Sequence, residues 1–269
     1  LGNVMQAQGK HEQALTCFTE ARSALEQSGQ ANTSDAADVC VHLGEVLRAL
    51  GRLPEAEAQF GQAYTIRGRI EGDFHADTVE AGYMLGLTLY GQERYAEAAA
   101  CLRRAADAEA FSDAGTDPNA DPVTRAYALY RLGESLHRLG RDEEAAAPMR
   151  KAVKALEETV GTDHRDTAGA WRCMGCILDA CGQYDEAFRF LNRTRIWEEK
   201  QYGDGHADMA ATYLLLGGVL TRGEHYGRAQ EYLDKAYAIR EELSGPDHPA
   251  TAEVCVSLGR LHYAEGKYA

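Results

Sequence analysis

Small and apolar positions along this chain repeat at fixed intervals. Leu1-Gly2, Leu43-Gly44, Leu85-Gly86, Leu132-Gly133, Met174-Gly175, Leu216-Gly217 and Leu258-Gly259 are spaced by 42, 42, 47, 42, 42 and 42 residues. Thirteen residues beyond each of the first six stands an alanine: Ala14, Ala56, Ala98, Ala145, Ala187 and Ala229. Seventeen residues beyond come Phe18, Phe60, Leu102, Met149, Leu191 and Leu233, and three further on Ala21, Ala63, Ala105, Ala152, Thr194 and Ala236. A separation of three puts these last two sets on one stripe of a helix, which predicts a buried face. Between the landmarks Gly9, Gly51, Gly140, Gly182 and Gly266 share one offset, and glycine there supplies the left-handed backbone that ends a helix. Each unit therefore reads as helix, turn, helix, with small residues where two backbones approach.

The joints between units carry their own pattern: GDFHADT at 72–78, GTDHRDT at 161–167, GDGHADM at 203–209 and GPDHPAT at 245–251. A histidine set beside Asp invites a metal or catalytic reading, but a signature written four times points to punctuation. Gly72, Gly161, Gly203 and Gly245 suit the left-handed stop of one helix. Pro249 suits the first turn of the next, and His or Asp can cap its free N–H groups. Zinc needs ligand nitrogens about 2.0–2.1 Å from one ion, whereas stacked helices lie about 8–10 Å apart, so successive histidines cannot share a metal. One His-x-Asp pair per loop supplies two ligands, too few for a structural site. No metal and no cofactor is expected.

The landmarks resemble the tetratricopeptide repeat over the whole chain, 1–269. Its tyrosine position is filled by Tyr95, Tyr184, Tyr226 and Tyr268, and its large residue before Leu-Gly by Leu129, Trp171 and Tyr213; Cys40, Gly82 and Cys255 depart from that pattern. The period exceeds the usual repeat of about 34 residues. The long form is similar to that of kinesin light chains and to repeats beside signalling NTPases. The resemblance implies an all-α, right-handed superhelical solenoid. It also implies a non-catalytic scaffold or adaptor whose first helices line a concave groove that takes a protein or peptide. The array opens inside a first helix at Leu1 and stops inside a second at Ala269, so a longer protein is expected. Two other readings are a sensor segment of a multidomain signalling NTPase or effector, and a structural part of a cytoskeletal or ciliary assembly.

In such a groove the positions flanking Leu-Gly face the ligand. The middle of this chain places Tyr83, Tyr90, Tyr127, Tyr130, Arg131, His137, Arg138 and Arg172 there. Rigid rings and charge-assisted donors are residue types enriched at binding hot spots. They predict a peptide with an aromatic anchor and acidic neighbours. The Lys and Asn of repeats that grip a C-terminal carboxylate are absent: the corresponding pairs read Val41/Glu45, Tyr83/Leu87, Tyr130/Glu134, Arg172/Cys176 and Leu214/Gly218.

Charge narrows the partners. With 42 acidic and 28 basic residues the net charge is −14, which repels nucleic acid and anionic membranes. The uncharged run Met209–Thr221 is 13 residues, short of the roughly 20 that a membrane span needs. Seven cysteines without scaffold density suit a reducing compartment, and a cytoplasmic location is expected. Cys173, Cys176 and Cys181 fall inside a predicted helix and its turn, where packing is expected over redox or metal chemistry. The five extra residues of the 47-residue interval lie in FSDAGTDPNADPVT, 111–124, which is expected to form a longer solvated loop.

Overall fold

The structure is a computed structural model, and it describes residues 1–107 and 122–266. Most of the expected loop at 111–124 lies outside the described residues, as does Tyr268; Pro122, Val123 and Thr124 open a helix. Thirteen helices and no strand occur among the described residues: α1 (Gly2–Ala7), α2 (His11–Gln27), α3 (Ser34–Ala49), α4 (Leu53–Ile70), α5 (Ala76–Gly91), α6 (Tyr95–Asp107), α7 (Pro122–Arg138), α8 (Asp142–Thr159), α9 (Arg165–Ala180), α10 (Tyr184–Tyr202), α11 (Ala207–Arg222), α12 (Tyr226–Ser244) and α13 (Pro249–Ala264). They fall into two compact units, Leu1–Arg141 and Asp142–Ala269. In each unit every helix packs on the next in the chain. First helices also touch: α5 meets α7 in the first unit, and α11 meets α9 and α13 in the second.

The Leu-Gly landmark has a steric cause. A Cβ added at Gly2 or Gly44 would stand 2.7 Å from the ring of Phe18 or Phe60. At Gly86, Gly175 and Gly217 it would stand 2.6–2.7 Å from Leu102, Leu191 and Leu233. The glycine is thus the socket for the large residue seventeen positions after the Leu, on the second helix of the same hairpin. That knob is fully buried at Phe60, Leu102, Met149, Leu191 and Leu233, as are all six alanines thirteen residues after the landmark. Burying a side chain of this size contributes about 1.5–3 kcal/mol, and repetition builds the core along the stack.

Both sets of glycine stops are observed. Gly9, Gly51, Gly140, Gly182 and Gly266 have φ between 70° and 78°, and Gly72, Gly161, Gly203 and Gly245 between 78° and 95°. Where the hairpin turn lacks glycine, the backbone keeps the same conformation at a cost: Glu93 has φ 60° and Glu224 φ 62°. The histidines cap the following helices. Nδ1 of His75, His164, His206 and His248 accepts the backbone N–H two residues on, at 3.3, 3.2, 3.2 and 3.1 Å. At the first joint the side chain of Thr33 does the same for Ala36, at 3.3 Å.

Candidate partner-binding surface

In the first unit α5, which packs on α7, carries Tyr83 and Tyr90 two turns apart near Tyr130, Arg131 and Arg138 of α7, the helix that also carries Tyr127 and His137. Intervals of seven residues (83 to 90, 130 to 137, 131 to 138) keep these side chains on one face of each helix. All are half-buried except the exposed Arg138.

Arg131 organises the cluster. Its guanidinium carbon lies 5.5 Å from the Tyr90 ring centroid and 5.1 Å from that of Tyr130, a cation held between two rings of neighbouring repeats. Tyr90 also meets Tyr95 edge to face at 5.3 Å. The Tyr90 phenol is pushed up to about 12, first by burial and then by Glu134, against the opposing pull of Arg138. Burial works against the charge of Arg131, but Glu134 and the Tyr130 and Tyr83 phenols outweigh it, so its pKa is raised.

Glu134 is the residue that the groove reading missed. Nη1 of Arg131 donates to its Oε2 at 2.7 Å, and the basic set already contains one carboxylate. The signal was present in the sequence, because Arg and Glu three apart on a helix are neighbours. Its counterpart two repeats earlier is Glu45, which accepts from Gln6 Nε2 at 2.9 Å and lies 3.4 Å from His42 Nδ1.

Arg172 belongs to the second unit and is not gathered into this cluster by the contacts within either unit. It is exposed on α9, with Nη1 3.9 Å from Oε1 of Glu198. Glu198 is buried on α10, one carboxylate oxygen lacks a hydrogen-bond partner, and burial raises its pKa despite Thr212 and Arg172.

The chemical candidates resolve toward structure. The cysteines are free thiols, and burial pushes Cys176 up to about 11, away from the thiolate a nucleophile or ligand needs. At the 72–78 loop Glu71 joins His75 and Asp77, so three possible ligand atoms fall within 4.8 Å of one another, one more than the sequence pattern supplied. The His75 nitrogen in that group is Nδ1, the atom already accepting the Asp77 N–H.

Stacked helical hairpins with sockets at Leu-Gly and an aromatic, arginine-bearing face on successive first helices define a helical-repeat protein. A model of the tetratricopeptide repeat matches residues 35–108, 124–195, 166–242 and 208–269, and a second tetratricopeptide-repeat model matches 83–159. The chain belongs to the tetratricopeptide-repeat family. Among curated proteins no match is found. Solved structures share the fold. RapI in its apo form aligns with a TM-score of 0.67 at 17% identity, over 95% of this chain and 66% of its own. Nearly identical TPR-like repeats assigned to a kinesin light chain of Podosopora anserina align at 0.61 and 18%, over 78% and 96%. YrrB, a TPR protein with an unusual peptide-binding site, aligns at 0.60 and 21%, over 89% and 97%. No helix among the described residues is long and apolar enough to cross a membrane.

Proposed function

We propose that this chain is a non-catalytic interaction scaffold that binds a peptide or partner protein on the first helices of its Leu1–Arg141 unit. The observation that carries the reading is Arg131, held charged between the rings of Tyr90 and Tyr130, which come from two adjacent repeats. Rings and an arginine preset by packing lose little side-chain freedom when a ligand arrives, which is what makes such groups effective anchors. An extended segment with an aromatic residue and acidic neighbours fits that chemistry, Tyr83 and Tyr127 flanking the pair and His137 and Arg138 continuing it by two turns. YrrB, a TPR protein with an unusual peptide-binding site, is in keeping with a peptide-binding reading. Arg172 is proposed as a separate cationic position in the second unit.

The test is a crosslinking pull-down with the chain beside its Tyr83→Ala/Tyr130→Ala/Arg131→Glu variant, both shown helical by circular dichroism. Partners lost with the variant are expected. Retention of every partner by both proteins would move binding away from this face.

A further inference from the structure

The Arg131–Glu134 pair is made at one point, as are Arg193–Glu157, Arg195–Glu199 and Arg67–Asp38, whereas four other arginine–carboxylate pairs are made at two. At the same i,i+3 spacing, Arg52 grips Glu55 through Nε and Nη2 at 2.7 Å each, and Arg94 grips Glu97 through Nε and Nη2 at 2.7 and 2.6 Å. Arg150 with Glu186 and Arg222 with Asp179 are likewise two-point pairs. Arg131 has one bond to Glu134, through Nη1, and its buried Nε has no acceptor. Two-point contacts between a guanidinium and a carboxylate are the strong form, and a buried donor without a partner costs about 1–3 kcal/mol.

Arg131 lies over the rings of Tyr90 and Tyr130, and one oxygen of Glu134 accepts from its Nη1. Glu134 is also the charged group that, after burial, raises the Tyr90 phenol.

We propose that Glu134 is an internal latch, a carboxylate of the chain's own that occupies Arg131 until an acidic side chain of the partner displaces it. This rests on the preceding reading of the face as a peptide site. It makes Glu134 the specificity-determining residue of that site. A ligand carboxylate must compete with a tethered one, so single weak anions are rejected and a segment with several acidic groups around an aromatic anchor is favoured. No bond other than hydrogen bonds is exchanged: Glu134 leaves Nη1, remains ionised and turns to water, and the partner's carboxylate takes its place.

The test has one arm that needs no ligand. Glu134→Gln keeps the size of the side chain and removes the charge, and circular dichroism confirms that the fold is kept. Phenylglyoxal modification of Arg131 is followed by peptide mass spectrometry, with exposed Arg48 as the reference in the same molecule. The latch predicts that Arg131 reacts about fivefold faster in the variant, the effect of losing a partly exposed ion pair. An unchanged Arg131 to Arg48 ratio overturns it. The second arm titrates a dye-labelled peptide, one Trp between two pairs of Asp, into both proteins. Tighter binding by Glu134→Gln supports the latch, and equal or weaker binding overturns it. Faster modification with no binding by either protein leaves the latch standing and removes the peptide reading.

Discussion

Glu93 and Glu224 stand in left-handed backbone, where the other hairpin turns have glycine. A side chain there costs of order 1–2 kcal/mol, while glycine adopts the conformation freely. Glu93→Gly and Glu224→Gly are each expected to stabilise the chain by about 1 kcal/mol, less the larger unfolded-state freedom of glycine. The urea midpoint of each variant checks this, and a lower midpoint would show that the glutamate makes a compensating contact. Glu198 sits at the repeat position that Leu25 and Leu156 fill elsewhere, and that Arg67 fills with partners Asp38 and the carbonyl of Asp77. Its carboxyl is raised above the ordinary 4.5 by burial. The native state therefore holds that proton to higher pH than the unfolded chain does. Stability from this group is full below the ordinary value and falls as pH rises through the native one. Glu198→Gln removes the fall, so its urea midpoint relative to wild type is expected to be higher at pH 7 than at pH 4. Equal pH profiles for the two proteins would count against a buried ionised carboxylate.

The helical hairpin is the element whose design was open to reading from sequence. The glycine of the Leu-Gly landmark and the large residue at seventeen turn out to be one contact, a knob against a glycine socket, which the backbone of the alanine at thirteen also approaches at Gly175 and Gly217. The glycine stops and histidine caps were equally legible, because local backbone chemistry depends on residues a few positions apart. What escaped was set by neighbours from other repeats. Glu134 counted only as a mismatch to a carboxylate clamp until Arg131 and Tyr90 closed on it. The buried charges Arg67 and Glu198 lie within an apolar stripe, with partners 10 to 29 residues away for Arg67 and 26 for Glu198. The socket yields a paired prediction. Gly175→Ala places a methyl 2.6 Å from Leu191 and is expected to destabilise by about 1–3 kcal/mol in spite of better helix propensity. Gly61→Ala, on a second helix with open space around it, is expected to stabilise by about 0.5–1 kcal/mol. Thermal melts of both separate a packing role from a propensity effect, and the socket fails if Gly175→Ala melts no lower than wild type.

At the scale of the molecule, among the described residues the main helix contacts within each unit join helices next to each other in the chain, with α5–α7, α9–α11 and α11–α13 adding first-helix contacts between adjoining repeats. Ion pairs follow the same rule. Arg94 reaches Glu57 at 2.6 Å, Arg193 reaches Glu157 at 2.6 Å and Lys200 reaches Asp163 at 2.8 Å, each joining a second helix to the repeat before it. These pairs are partly or largely exposed, so each contributes little, and the knobs and sockets dominate the coupling. In such a stack, stability is a sum of unit and nearest-neighbour terms, and damage spreads only as far as those terms carry it. Gly44→Ala crowds Phe60 in the first unit, and Gly217→Ala crowds Leu233 in the second. Amide hydrogen exchange is expected to quicken in α3, α4 and their adjoining helices for the first variant, leaving α11 to α13 at wild-type rates. The second variant should give the reverse map. Uniform acceleration along the chain in either variant would mean that it opens as one cooperative body, and binding at the Arg131 face would then stiffen all repeats together instead of only those it touches.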